Sequence, residues 1–345
     1  MQFRPLGRTG LRVSELCLGT MNFGGPTDEA AAGEIFAMAR DAGINFVDTA
    51  DVYSAGRSEE ITGRLVGRNR HDWVLSSKSG NWLGKGENDG GLSRTWLLHA
   101  LDGCLRRLGT DYLDVWYLHI DDRQTPFEEI VVTMDLAVRS GKVRHWGFSN
   151  FMGWQVAEFM RVADAMGCVR PSACQPCYNA FNRLIETDLL PACRRFGLGV
   201  VAFSPLARGV LTGKYLPDQE PEAGTRAARK DKRMMETEFR RESLALAQQL
   251  KAHAQGSGRT AGDFALRWVL NNTLISSVLI GPRTTGHLTA YLKSLETGFS
   301  EADEDFLTTL VASGHTSTPN YGDPRYPYTG RSPKVGSLPQ ARIRN

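Results

Sequence analysis

The sequence predicts an α/β fold, a (β/α)8 barrel with an N-terminal β-hairpin and a C-terminal coil extension. Three observations predict it. Short apolar runs of strand type recur eight times along the chain, each followed by a stretch of helical period. The length of 345 residues suits one such barrel with extensions as well as it suits two ordinary domains. Asp48, Lys78 and His119 each follow a strand-type run, and the carboxyl ends of the strands are where such barrels carry their chemistry. Residues 1–313 are read as one barrel domain and 314–345 as a tail packing on or near it.

Each element has its local reason. Phe3 to Val13 alternates around turns at Gly7 and Gly10, a hairpin placed to plug one end of the fold. Ser14 to Thr20 is the first buried strand, followed by the Gly24-Gly25-Pro26 loop. Thr27 and Asp28 are cap-type residues that open an amphipathic helix over Glu29 to Arg40, and Asp41-Ala42-Gly43 stops it. The cycle then repeats. Strands are expected at about 45–49, 73–78, 112–119, 143–149, 172–178, 198–204 and 276–280. Helices are expected at about 58–68, 93–108, 127–140, 152–166, 185–196, 241–272 and 284–296. The run 241–272 is broken by Gly256-Ser257-Gly258 and reads as two helices. Leu216 to Arg241 is charged and glycine-containing, a loop over the barrel top. The segment after Ser313 is rich in Pro, Tyr and Gly and reads as ordered coil across a surface.

Composition narrows the function classes. With 41% hydrophobic and 23% charged residues the chain reads as a globular enzyme, and a net charge of +3 argues against nucleic acid or an anionic membrane as partner. The six cysteines in a chain of this length read as reduced thiols of a cytoplasmic protein. No run approaches about 18 apolar residues, so no membrane span is expected. The first residues have no apolar signal region.

The candidate site is Asp48-Thr49-Ala50-Asp51-Val52-Tyr53 taken with Lys78 and His119. Strand alternation puts Phe46 with Asp48 on one face, Val74 and Ser76 with Lys78, and Val115 and Tyr117 with His119. In neighbouring parallel strands an acid, a lysine and a histidine then converge, and Tyr53 folds back over them from the next loop. A phenol has an ordinary pKa near 10 and is a feeble acid–base catalyst at neutral pH. A nearby ammonium is expected to lower that pKa, Asp48 to hold Lys78 charged and oriented, and His119 to share or position the proton. Taken singly, each residue has a bland reading as a cap, solvated charge, core group or packing group; the four in this order argue for a site.

The motifs resemble the aldo-keto reductase family, in a bacterial branch similar to the potassium-channel β-subunit-like reductases. The resemblance rests on Asp48 to Tyr53 with Ser58-Glu59-Glu60, Ser77-Lys78, Leu108-Gly109-Thr110-Asp111-Tyr112-Leu113-Asp114 and Leu118-His119. It continues through Gly147-Phe148-Ser149-Asn150, Gln175 with Tyr178-Asn179, and Phe203-Ser204-Pro205-Leu206, after an opening Arg4-Pro5-Leu6-Gly7-Arg8-Thr9-Gly10. It runs from about residue 3 to 297. It implies carbonyl reduction, with hydride from a nicotinamide and a proton from Tyr53, and NADPH (NADP+) extended across the barrel mouth. By resemblance Ser149, Asn150 and Gln175 hold the nicotinamide carboxamide, which needs donors and acceptors. Phe203 stacks on the ring, its alternative being a core residue ending its strand. Gly19, Thr20 and Met21 are assigned to the cofactor, and Ser204, Leu206, Gly209 and Lys214 to the pyrophosphate path. Arg226 and Arg283 are candidates for the 2′-phosphate, Arg226 alternatively being a solvated member of a basic run. Arg283 follows Gly281-Pro282 where the last barrel helix opens, and helix amino ends attract anions. His287 and Tyr291 stand where relatives commonly carry Gln and Asn against adenine.

Other signals weigh less. Gly197-Leu198-Gly199-Val200-Val201-Ala202 fits a dinucleotide fingerprint in letters but leads into a strand instead of following one, which removes its mechanism. Cys174-Gln175-Pro176-Cys177 has metal or redox spacing without a second pair, so no metal is assigned. Phe23, Trp82 and Trp116, with Met21, Tyr53 and Tyr321 to Tyr328, are expected to line an apolar pocket for a bulky or aromatic carbonyl compound. Two other classes remain open: a nicotinamide-binding regulatory subunit or redox sensor with slow turnover, and a metal-dependent barrel hydrolase. Oligomeric state is not readable from the sequence.

Overall fold

A computed structural model describes residues 1–326. Strands β1 (Phe3–Pro5) and β2 (Arg12–Ser14) form the antiparallel hairpin. A closed parallel barrel follows from β3 (Leu16–Gly19), β4 (Phe46–Asp48), β5 (Val74–Ser79), β6 (Leu113–Leu118), β7 (Val143–Ser149), β8 (Ala173–Gln175), β9 (Gly199–Ala202) and β10 (Ile275–Ile280). Their spatial order is their chain order, with β10 closing onto β3. The crossover helices are α1 (Glu29–Asp41), α2 (Arg57–Val66), α3 (Arg94–Leu108), α4 (Phe127–Arg139), α5 (Gly153–Ala165) and α6 (Leu189–Phe196). Beyond β9 come α7 (Lys232–Thr237), α8 (Arg241–Gly256) and α9 (Ala261–Asn271), and after β10 come α10 (Thr285–Ser294) and α11 (Glu301–Leu310). The (β/α)8 barrel with its amino-terminal hairpin is the fold the sequence predicts.

The alternation of side chains sorts the core into two shells. Cys17, Phe46, Val74, Val115, Tyr117, Ala173 and Val201 fill the barrel interior together with Leu6 and Val13 of the hairpin. Their neighbours Leu16, Val47, Leu75, Trp116, Phe148 and Val200 face outward under the helices. The hairpin seals the amino-terminal end at close quarters. A Cβ on Gly7 would lie 2.4 Å from the Gly199 nitrogen, and Gly7 has φ +59°, so glycine is required there.

Two helices depart from expectation. The charged segment 216–241 contains α7, whose amino end is capped by Asp231 onto the Met234 N–H. Helix α11 was not anticipated although its signal is present: Ser300 and Asp303 form a capping box. Asp303 also receives Arg259 and His253, tying α11 to the barrel helices. The break at 256–258 does separate α8 from α9.

Residues 313–326 run back over the barrel mouth. The Arg183 N–H donates to the His315 carbonyl and the Ser317 N–H to the Phe181 carbonyl. Arg233 pairs with Asp323 at 2.6 Å, and Arg240 lies 3.2 Å from the centre of the Tyr321 ring.

Candidate active site

The register of the barrel assembles the floor of the site. Asp48 ends β4 opposite Ser76 of β5, and Lys78, two residues on, stands opposite Tyr117 of β6. His119 is the first residue beyond β6. Tyr53 opens a 3-10 turn whose Ser54 and Ala55 adopt left-handed backbone, which swings the phenol over the strand ends. The expected convergence of the four groups is observed.

Lys78 is 1% exposed. Its Nζ hydrogen-bonds the Asp48 carboxylate, the Thr49 carbonyl at 2.7 Å and the Tyr53 hydroxyl oxygen at 3.3 Å. An ammonium has three hydrogens, and these three acceptors use them all. Because Lys78 donates into the phenol oxygen, the Tyr53 proton must point away from it. Asp48 is braced by Ser76 Oγ at 2.7 Å and by Gln175 Nε2 at 3.0 Å. Burial alone would depress the Lys78 pKa, but Asp48 and then Tyr53 outweigh it and the ammonium is held charged.

Tyr53 corrects one expectation. Burial pushes its pKa above the ordinary value; Lys78 pulls the other way, but Asp48 beside it cancels part of that pull. The phenol is therefore kept protonated, not sharpened into a stronger acid. Burial, then Lys78 and Arg325, hold the His119 pKa well below the ordinary value, so its ring is neutral. The Tyr53 and His119 rings meet edge to face with centres 5.9 Å apart.

Above the floor opens a cavity of about 1100 Å³, lined by Tyr53 and His119 at one end and by Lys214, Arg226, Arg229 and Arg283 at the other. Burial and the neighbouring Arg229 and Arg226 lower the Arg283 pKa. Arg226 has Asp231 at 3.1 Å; four cations sharing this end make it a place for an anion. The residues therefore fit an elongated, phosphate-bearing ligand such as a nicotinamide dinucleotide. Gly19, Met21, Ser149, Asn150, Gln175, Phe203, Ser204, Leu206, Gly209, Gly281, His287 and Tyr291 also line the cavity. Several of their polar atoms are already engaged. Ser149 Oγ donates to the Gln175 carbonyl and Asn150 Nδ2 to the His119 carbonyl. His287 Nδ1 accepts the Arg283 N–H at 3.3 Å. Burial pushes the Tyr291 phenol up to about 12.

Four expected residues do not reach the cavity. Trp116 points outward from β6 into the shell under the helices, where its Nε1–H donates to Ser79 Oγ; alternation assigns it to the face opposite Tyr117. Phe23 is fully buried in the same outer core. The Thr20 hydroxyl is taken by Ser58 and the Asp48 carbonyl. Trp82 packs beside Gly90 and Gly91, away from the cavity lining. Tyr321 and Tyr326 line the cavity; Tyr328 lies outside the described residues.

Sequence reasoning missed Asn81, Arg208, Arg229 and Arg325, all cavity-lining. Arg208 stands between the expected Leu206 and Gly209, a signal that was available. Arg325 had none, since its partner Asn81 is 244 residues away in sequence. The six cysteines are free, and burial followed by Glu238 pushes Cys177, the one that lines the cavity, up to about 12, so it stays a thiol. No His, Cys, Asp and Glu cluster suited to a metal occurs among the described residues.

A model described as the Aldo/keto reductase family matches residues 15–311. The chain is 39% identical over 312 residues to "Uncharacterized oxidoreductase YrpG" of Bacillus subtilis (strain 168), covering 86% of this chain and 91% of that protein. It is 38% identical over 301 residues to a "Probable voltage-gated potassium channel subunit beta" of Oryza sativa subsp. japonica, covering 86% and 92%. A protein of the same description from Arabidopsis thaliana is 37% identical over 301 residues, again covering 86% and 92%. The matched span takes in every barrel strand and all four groups at the barrel mouth, so the chain belongs to the aldo/keto reductase family, oxidoreductases of the carbonyl-reducing kind.

Proposed function

We propose that this protein is an NADPH-dependent reductase that converts an aldehyde or ketone, bulky or aromatic in preference to small, into the alcohol. The observation that carries the reading is the Asp48–Lys78–Tyr53 chain, with the Lys78 nitrogen 3.3 Å from the phenol oxygen at the catalytic end of the cavity. A bound nicotinamide supplies hydride to the carbonyl carbon. Tyr53 donates the proton to the carbonyl oxygen, which a phenol kept protonated at neutral pH is suited to do. Lys78 holds the phenol oxygen in place and offsets the charge left on it. His119, neutral, orients the carbonyl by hydrogen bonding. Acid catalysis of this kind contributes about 10²–10⁴-fold, so much of the remaining acceleration falls to positioning. The cationic end built by Lys214, Arg226, Arg229 and Arg283 supports NADPH over NADH, because a 2′-phosphate gains most from guanidinium groups. Free cysteines throughout support a cytoplasmic setting.

A second reading is a nicotinamide-binding regulatory subunit with slow turnover, favoured by the naming of the rice and Arabidopsis relatives as potassium channel β subunits. One experiment tests both: oxidation of NADPH and of NADH followed in parallel across a panel of aldehydes and ketones. Turnover of a carbonyl compound with preference for NADPH is expected. Tight NADPH binding with negligible turnover of the whole panel would overturn the reductase reading in favour of the second.

A further inference from the structure

The cavity beside Tyr53 and His119 carries a buried donor with no acceptor. Asn81 lies three residues beyond Lys78 and is 3% exposed. Its Oδ1 accepts from Arg325 Nη2 at 2.8 Å. A guanidinium only donates, so this contact fixes the amide orientation and turns Nδ2 the other way. That Nδ2 is buried without a hydrogen-bond partner. A buried donor left unmade costs about 1–3 kcal/mol, a cost that a ligand supplying an acceptor would remove.

Arg325 is the second half of the feature. The other guanidinium groups around it are occupied: Arg208 pairs with Glu238 at 2.8 Å and Arg233 with Asp323 at 2.6 Å, and Arg240 covers Tyr321. Asp323, close by in sequence, accepts the Arg325 backbone N–H with one oxygen while the other takes Arg233. Among the described residues no carboxylate forms an ion pair with the Arg325 side chain, which donates to the neutral Asn81 amide, lies 5.8 Å from the Tyr326 ring and is felt electrostatically by His119. A guanidinium beside an unsatisfied amide N–H matches the two oxygens of one carboxylate. Asn81, Arg325, Tyr53 and His119 all line one cavity.

We propose that Arg325 and Asn81 form an anion subsite facing the catalytic tyrosine, and that the preferred substrates are carbonyl compounds bearing a carboxylate. The proposal rests on the reductase reading and names its substrate class. The carboxylate is held by the tail and the loop after β5 while the carbonyl end of the same molecule meets Tyr53 and His119. Nothing is transferred at the subsite; it orients.

The test compares 3- and 4-carboxybenzaldehyde with their methyl esters, which keep the aldehyde and the ring and lose the charge. With NADPH, the wild-type kcat/KM for the better acid should exceed that for its ester by about tenfold or more, as a charged hydrogen bond allows. Arg325→Met should bring that acid-to-ester ratio near one, acting through KM, while Arg325→Lys retains part of it. Asn81→Leu should reduce it as well. The ratio cancels any general loss of activity or folding. In parallel, calorimetry on protein with NADP+ measures binding of 4-(hydroxymethyl)benzoate and its methyl ester. This arm reports on the subsite even if no aldehyde is turned over, the outcome that would defeat the reductase reading alone. Equal handling of acid and ester by the wild type in both arms would overturn the subsite. So would an Arg325→Met variant that keeps the ratio but loses NADPH affinity, since the group would then serve the cofactor.

Discussion

The floor and the roof of the cavity are built by opposite means. The floor is a closed sheet in which Asp48 and Lys78 are buried and every hydrogen of the lysine has its acceptor. The roof is made of the 203–240 segment and the tail, where Arg208, Arg233 and Arg240 are pinned by Glu238, Asp323 and Tyr321 in half-buried contacts. The sheet fixes its groups through a continuous ladder of backbone hydrogen bonds; the roof has a few such bonds and relies for the rest on side chains that can exchange partners. The floor is thus suited to chemistry and the roof to choosing what enters. Left-handed backbone occurs in both, at Ser204, Ala207 and Arg208 of the roof and at Ser54 and Ala55 of the turn that carries Tyr53, but in none of the barrel strands.

Breaking the floor should have the largest effects. Tyr53→Phe is expected to lower kcat/KM for carbonyl reduction by at least about 10²–10⁴-fold with NADPH binding nearly unchanged, read by steady-state rates beside cofactor titration. A modest loss of rate would mean that the phenol is not the proton donor. Lys78→Met leaves the Asp48 carboxylate buried and uncompensated and should destabilise the fold by about 3–5 kcal/mol in denaturant titration. Adding Asp48→Asn should recover part of that loss; a double variant less stable than the single would show that the pair is not the unit.

The floor also has one misfit, which sharpens the contrast. Burial and the nearby Glu59 carboxylate push Asp51 up to about 7. The unfolded chain ionises this group near pH 4 while the folded chain holds its proton to about pH 7, so the folded state loses stability across that window. Asp51→Asn should be indistinguishable from wild type near pH 4 and more stable by roughly 2–4 kcal/mol above pH 7. A gain of the same size at both pH values would refute the assignment. The smallest effect belongs to the roof. Removing everything after Thr318 keeps the Ser317 contacts with Ser243 and Phe181 yet takes away Tyr321, Asp323, Arg325 and Tyr326. KM for bulky ketones should then rise roughly tenfold, against about twofold or less for small aldehydes. Equal rises would argue that the tail is not part of the pocket.

The floor was legible because its code is short. A period of two decides which face a residue takes, and Asp48, Lys78 and His119 obey it. The same rule excludes Trp116, which adjoins Tyr117 on the other face, whatever its aromatic character suggests. The capping signal at Ser300 and Asp303 is equally local. By contrast, no local pattern marks Arg325 as the partner of Asn81 or Asp323 as the partner of Arg233, since these pairs are 244 and 90 residues apart.

By itself the sequence determined the alternation of strands and helices, the closure of the barrel and the identity of the four groups at its mouth, because periodicity and strand ends are properties of neighbouring residues. Only the tertiary structure decided the protonation of Tyr53, the crowding of cations at the far end of the cavity and the position of the tail across its mouth. Desolvation and charge pairing depend on what surrounds a group in space, and that is set by how distant segments pack.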